Sequence, residues 1–217
     1  LDPENVRLTW NALKEAKKAR LQVCAPVSSV QMEYLFHKKP DAMVKAICQT
    51  IADCCSLCSD VEFVADDATR SDVAFLYQAI AAAIEAHYDD FDGFVIAHGT
   101  DTMAYTASAL SFILHGLEKP VVLTGSQIPL SEIRSDGKDN LVTSLLIAAD
   151  GIVPEVCLYF SGKLLRGNRA VKMSADQLVA FDSPNYPHLA DAGITVRYNY
   201  SAIKKRSYGI LSMQRLS

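Results

Sequence analysis

Residues 93–112 read Gly93-Phe94-Val95-Ile96-Ala97-His98-Gly99-Thr100-Asp101-Thr102-Met103-Ala104-Tyr105-Thr106-Ala107-Ser108-Ala109-Leu110-Ser111-Phe112. The first part is an almost unbroken apolar run, which suits a strand buried on both faces of a parallel sheet. A short polar turn follows, and then apolar residues return at helical spacing. The pattern predicts a strand over 91–97 and a helix over 102–115. Parallel strands can be joined only through a crossover, so this unit should repeat. Downstream it does, with a strand at Pro120–Thr124, a helix at Asp139–Ala149 and a strand at Glu155–Phe160. Upstream lie a strand at Val61–Val64 and a helix at Asp72–His87, whose Val73, Leu76, Ile80, Ala83 and Ile84 form one stripe. Repeated β-α units with short turns imply right-handed crossovers and an α/β fold with helices on both faces of a mainly parallel sheet.

Beyond Phe160 the pattern changes. Arg169–Met173 reads as a short strand, Ala180–Asn185 as a turn and Ile194–Tyr198 as another strand. The tail from Ser201 to Ser217 carries Lys204-Lys205-Arg206, which reads as a solvated linker. At the other end, Pro3–Ala19 is an amphipathic helix with Asp2 as its cap and Pro3 in its first position. Leu21–Ala25 is a strand and Pro40–Cys55 a second helix.

Composition narrows the partners. The 217 residues are 50% apolar and 21% charged, with a formal net charge of -4, the balance of an ordinary globular protein. No basic face is implied, so nucleic acid is not an expected partner. No run approaches the roughly 20 apolar residues that a membrane span requires, so no membrane role is expected either. Leu1-Asp2-Pro3-Glu4 has no basic end followed by an apolar run, and a secretory signal is not expected there. Of the six cysteines, Cys48, Cys54, Cys55 and Cys58 cluster without a second pair at zinc spacing. Cys48, Ile51 and Cys55 fall on one helical face, so the cluster reads as small buried hydrophobes in a reducing compartment, the cytosol by default. No metal is expected.

In parallel sheets, ligands bind at the carboxyl ends of the strands. Three such ends here carry polar chemistry: His98-Gly99-Thr100-Asp101-Thr102, Gly125-Ser126-Gln127-Ile128, and the segment running to Arg166-Gly167-Asn168-Arg169-Ala170-Val171-Lys172. Thr100 or Asp101 by itself is an ordinary helix cap. A hydroxyl becomes useful in catalysis beside a base, and a lysine oriented by a carboxylate can serve as one. Thr100, Lys172 and Asp101 supply those three parts.

The segment 93–112 resembles the signature of the bacterial-type L-asparaginases, closest to the cytoplasmic, type I group. Lys119–Ser126, Asp136–Leu141, Pro154–Leu158, Arg166–Arg169 and Ser183–Asn185 continue the likeness in order, from about residue 85 to 200. The resemblance implies a flavodoxin-like, three-layer N-terminal domain, with the family's smaller C-terminal domain missing or vestigial. Residues 60–200 would be that domain, 1–59 a poorly matching part of it, and 201–217 a linker or remnant of the second. It also implies hydrolysis of L-asparagine, and of L-glutamine as the other candidate substrate, without a cofactor, in a cytoplasmic homodimer or homotetramer. By the same resemblance Thr100 activates the attacking water, Lys172 is its base partner, and Asp101 supports the lysine and receives the substrate's α-amino group. Ser126 would contact the side-chain amide through its backbone carbonyl.

The chain departs from the family pattern in three places. The family's nucleophilic threonine sits in a Gly-Gly-Thr loop after the first strand, and here the matching stretch is Pro26-Val27-Ser28-Ser29, with Ser29 as the candidate nucleophile. The pair that grips the substrate carboxylate is matched by Asp66-Asp67. There a like charge at about 4 Å costs ~1 kcal/mol in water and several in a drier site. The third departure is the second domain. These departures set a second expectation beside the first, a divergent asparaginase-like protein that binds a small amino acid, or acts as an interaction module, without turnover. An amide-hydrolysing subunit of a larger amidotransferase is a third, weakened by the lack of a basic surface for tRNA.

Overall fold

The runs Val121–Leu123 and Val156–Phe160 contain no residue more than 4% exposed, so both their faces must be covered. The computed structural model describes residues 1–206 and 210–214, and the chain divides between Tyr88 and Asp89 into two compact units. The division falls inside the 60–200 segment.

In the first unit α1 (Pro3–Leu13) starts where the Asp2 carboxylate accepts the Glu4 N–H at 3.1 Å. It ends short of Ala19 because residues 14–18 are exposed throughout and offer no apolar stripe to bury. There follow β1 (Leu21–Pro26), α2 (Ser29–Tyr34), α3 (Pro40–Cys55), β2 (Val61–Asp66), a single 3-10 turn at Ala68–Arg70 and α4 (Val73–Ala86), capped by Asp72. Helix α2 is too short to show a period in the sequence. β1 and β2 pair in parallel from Leu21 opposite Val61 to Pro26 opposite Asp66. Leu21, Val23, Val27, Met43, Ile47 and Ile51 form the core of this unit. Cys54 and Cys58 are buried with them, whereas Cys48 and Cys55 are half-buried. The face of α3 that enters the core therefore carries Met43, Ile47, Ile51 and Cys54; of the face expected from Cys48, Ile51 and Cys55, Ile51 is buried with it and the two cysteines flank it. Burial pushes the thiols of Cys48 and Cys54 up, which makes them unreactive.

In the second unit β3 (Phe94–Ala97), α5 (Met103–Ile113), β5 (Val121–Thr124), α6 (Gly137–Asp150) and β6 (Val156–Phe160) follow the expected alternation, whereas Leu114–His115, expected at the end of the helix, is a short strand, β4. β7 (Lys163–Arg166) returns from β6 through Ser161 and Gly162, both at positive φ (46° and 82°). A two-residue turn of that hand matches the twist of the strands it joins, so it makes an antiparallel hairpin. A 3-10 turn at Gly167–Arg169 leads to β8 (Val171–Lys172), β9 (Phe181–Asp182), β10 (Ala190–Ala192), β11 (Val196–Tyr198) and β12 (Ser212–Met213). Six strands form one mixed sheet in the order β11-β10-β7-β6-β5-β3, parallel from β3 to β6 and antiparallel beyond. Strand alternation gives Val122, Cys157 and Tyr159 to the face that Ile147 and Ala148 of α6 cover. The other face falls to α5.

Two readings of the sequence change here. Residues 181–182 are a strand opposite 171–172, because Phe181 is buried with its ring 5.0 Å from that of Phe160. The turn moves to Ser183–Tyr186, where Ser183 O accepts the Tyr186 N–H at 3.2 Å. The exposed Lys204–Arg206 patch is tied down, the Lys204 N–H donating to Glu155 and the Arg206 guanidinium to Gly151 O. Ser212–Met213 pairs with Leu114–His115, while 207–209 and 215–217 of the expected linker lie outside the described residues.

Glu155, 3% exposed, is held by Arg166 through bonds of 2.6 and 3.2 Å. The same guanidinium lies 4.2 Å from the Tyr186 ring centroid and donates to Ala202 O at 2.9 Å. A buried carboxylate stripped of its charged partner is costly, and here the Lys204 N–H would be left to offset the lost hydration. Arg166→Met should therefore lower stability by about 3–5 kcal/mol in denaturant unfolding followed by circular dichroism. A loss below about 1 kcal/mol would mean that water replaces the guanidinium there.

Candidate functional site

The ends of β3 and β5 approach unusually closely. A Cβ on Gly125 would stand 2.2 Å from His98 O, so only glycine permits the contact. The His98 N–H donates to Thr124 O at 2.8 Å and aligns the two ends. His98 Nδ1 lies 2.7 Å from Gly99 O and Nε2 lies 2.9 Å from Thr106 Oγ1. A carbonyl can only accept, so Nδ1 carries a proton, while Nε2 shares a hydrogen bond with the Thr106 hydroxyl. The imidazole thus fastens the turn that bears Thr100 and Asp101 to the first turn of α5.

Neither Thr100 nor Asp101 caps that helix. Its cap position is Thr102, and no side chain accepts a backbone N–H there. Both instead meet Lys172 on β8. Lys172 Nζ donates to Thr100 Oγ1 at 2.9 Å and to Asp101 Oδ1 at 2.7 Å. The lysine side chain is 18% exposed and that of Asp101 is 92% exposed. The ammonium is thus mostly shielded, while the carboxylate keeps one side open to a second cation. The hydrogen bond from Lys172, and then its charge, hold the Asp101 carboxyl below its ordinary value.

Ser126 is half-buried on the loop after β5, and that loop is secured by residues the sequence reading missed. The Asp136 carboxylate accepts the N–H groups of Gln127 and Ile128 at 3.0–3.1 Å. Asn140, 3% exposed, donates to Gly125 O and to Asp136, and accepts the Ser161 N–H at 3.0 Å. One buried amide therefore joins the loop after β5 to the turn after β6. The signal was a buried-face asparagine inside an apolar helix, since such a group has to find partners.

Ser29, Asp66 and Asp67 belong to the first unit. Ser29 is an exposed residue at the start of α2, and its neighbour Ser28 is the buried cap, accepting the Gln31 N–H at 3.3 Å. Asp66 is exposed and accepts from Gln31 Nε2 at 3.3 Å. Asp67 adopts positive φ (59°) and is paired with Arg70 at 2.8 Å. Arg70 first, and the Ser28 hydroxyl second, hold its carboxyl below the ordinary range. Arg70 therefore offsets part of the Asp67 charge, while Asp66 meets the Gln31 amide.

Strand β9, which pairs with β8, is anchored by a charged cluster. Asp182 is bound by Lys163 at 2.8 Å and by His188 Nε2 at 2.9 Å, and His188 Nδ1 reaches Asp191 at 2.8 Å. Both ring nitrogens face carboxylates, so both donate only in the protonated ring. Burial pulls the His188 pKa down, but the hydrogen bonds to Asp191 and Asp182 outweigh it and leave the pKa raised above 6.5. Lys163, then His188, push Asp182 far below the usual carboxylate range.

Residues 17–204 match the family described as Asparaginase, N-terminal. Over 121 residues, 56% of this chain, the sequence is 61% identical to L-asparaginase 1 of Escherichia coli (strain K12), of which that stretch is 36%. Over 126 residues it is 52% identical to the 60 kDa lysophospholipase of Mus musculus, 58% of this chain against 22% of that protein. The crystal structure of L-asparaginase I from Vibrio cholerae O1 biovar eltor str. N16961 is similar with a TM-score of 0.66 and 34% identity, over 92% of this chain and 62% of that one. The matched segment is thus about a third or less of the length of these curated relatives.

The His188 cluster has a defined pH dependence. Its folded pKa is raised, so its stabilisation is complete below the unfolded value of 6.5 and is lost as pH rises through the folded value. Denaturation midpoints of the wild-type chain should fall across that window, and His188→Gln should remove the slope. A wild-type profile that stays flat there would rule out a protonated bridge between Asp182 and Asp191.

Proposed function

The chain belongs to the asparaginase family, and we propose that its second unit carries an amidohydrolase centre that converts L-asparagine to L-aspartate and ammonia, with L-glutamine as the other candidate substrate. The observation that carries this reading is Lys172 Nζ, within hydrogen-bond distance of both Thr100 Oγ1 and Asp101 Oδ1 at the carboxyl end of a parallel strand. Lys172 Nζ lies 2.9 Å from the Thr100 oxygen, so a neutral amine would accept the hydroxyl proton while the same oxygen accepts from a water molecule. In hydrolysis, the water oxygen bonds to the amide carbon as its proton passes through Thr100 to a neutral Lys172. The carbon–nitrogen bond then breaks, and the nitrogen leaves with that proton as ammonia.

Lysine accepts a proton only when neutral, and an unshared carboxylate opposes that state. Asp101 is open enough to receive the substrate's α-ammonium group as well. The Ser126 backbone carbonyl would hold the side-chain amide N–H.

A second reading, binding without turnover, is favoured by one specific feature. The position of the family's nucleophile loop holds the buried cap Ser28 and helical Ser29 in place of glycines. Residence in the cytoplasm and assembly as a homodimer or homotetramer belong to the same proposal, and six free thiols suit a reducing compartment.

Ammonia release from L-asparagine, with L-glutamine in parallel, separates the readings. Thr100→Val and Lys172→Met should each lower release by roughly 10²–10⁴-fold, the usual worth of a positioned proton carrier. Release that survives both changes would remove these residues from the reaction. A folded chain that releases none, yet binds L-asparagine in a calorimeter with dependence on Asp101, would establish the second reading.

A further inference from the structure

The position of Lys172 depends on how β8 is held, and β8 has little of its own. The β8–β9 ladder consists of Val171 opposite Asp182 and Lys172 opposite Phe181, extended by Met173 N–H to Ala180 O at 2.7 Å. So short a hairpin is marginal by itself. β9 is fixed from its own side, through buried Phe181 and the charged partners of Asp182. β8 has an exposed Val171, and its charged partner is the Asp101 that Lys172 has to reach. The connection beyond it is exposed from Ala175 to Val179, and its internal order rests on Ser174, whose hydroxyl donates to Asp176 and accepts the Gln177 N–H.

Two side chains from elsewhere pin this connection. Ser161 Oγ donates to Leu178 O at 2.5 Å. Gln127 Nε2 donates to Ala175 O and to Gln177 O, both at 3.1 Å. A carboxamide has two N–H hydrogens, and here both are spent on the connection. Gln127 can act as a fixed point because Asp136 binds its backbone N–H and Asn140 binds Asp136.

We propose that Gln127 is a positioning residue whose carboxamide clamps the β8–β9 connection and thereby holds Lys172 against Thr100 and Asp101. Its consequence for turnover rests on the amidohydrolase reading, whereas the clamp itself does not. Gln127 adjoins Ser126, so the loop that would hold the substrate amide and the hairpin that carries the base move as one body. Loosening the clamp lets the ammonium drift from Asp101, and the Asp101 carboxyl reports that drift without any substrate.

The test is a carbon-13 NMR titration of the aspartate carboxyls in the full chain. It compares wild type with Lys172→Met, Gln127→Met and Gln127→Glu. Lys172→Met sets the limit, with Asp101 returning to its ordinary value of 3.8. Both Gln127 variants should move Asp101 toward that limit, and amide exchange over 174–179 should accelerate roughly tenfold, as loss of two modest hydrogen bonds implies. Agreement between the neutral methionine and the charged glutamate excludes a direct charge effect. If Asp101 titrates in both Gln127 variants as in wild type while Lys172→Met raises it, the proposal is overturned. If Lys172→Met leaves Asp101 unmoved, the pair itself is absent and the proposal goes with it. A wild-type chain that releases no ammonia, but whose Asp101 responds to Gln127, keeps the clamp and loses only the turnover reading.

Discussion

Strands β5 and β6 are buried on both faces, and the second unit is arranged around that constraint. Parallel strands of this kind cannot be joined by tight turns, so each connection must cross over a face as a helix. The polar connections of β3, β5 and β6 consequently emerge at the same end of the sheet. Gly125 lets two of them touch, since any side chain there would collide with His98 O. The chemistry of Thr100, Asp101 and Ser126 is gathered at one end for a reason that lies in the apolar runs between them.

Gathering is not yet fixing. The loops become one body through polar groups buried in places where an unsatisfied atom would be costly. Asn140 uses both amide hydrogens and its carbonyl oxygen, on Asp136, Gly125 and Ser161. Glu155 does the same further along the sheet, taking Arg166 and the Lys204 N–H and so binding the chain beyond β11 to the start of β6. Such groups add little net stability compared with apolar replacements, but they admit few alternative arrangements. That property suits a site where a lysine must reach two oxygens at once.

The first unit has a different logic. Its parallel pair carries a core of its own, and the end of β1 closes in a capped helix instead of opening into a glycine loop. Asp67 takes a backbone conformation unusual for a residue with a side chain, and its charge is already committed to Arg70 and Ser28. The physical resources at that strand end go into local structure. The open carboxylate of Asp101 in the second unit is the contrasting case.

The sequence by itself determined the alternation from Phe94 to Phe160, because the period of apolar residues differs between a doubly buried strand and a helix. It also determined which residue types could do chemistry at the strand ends, since a hydroxyl and a carboxylate stood together after one strand and an amine lay downstream of another. It showed neither the return of β7 after Ser161-Gly162 nor the strand at Phe181, because two-residue turns and two-residue ladders leave almost no period to read. It gave no sign that Gln127 would reach Ala175 and Gln177, or that Asn140 would join two strand ends. Those partners lie far apart along the chain, and no local pattern encodes a distance between them. The tertiary structure decided that Lys172 meets Thr100 and Asp101, because hydrogen bonds form between atoms brought to about 3 Å, and only the packing of the sheet sets that separation.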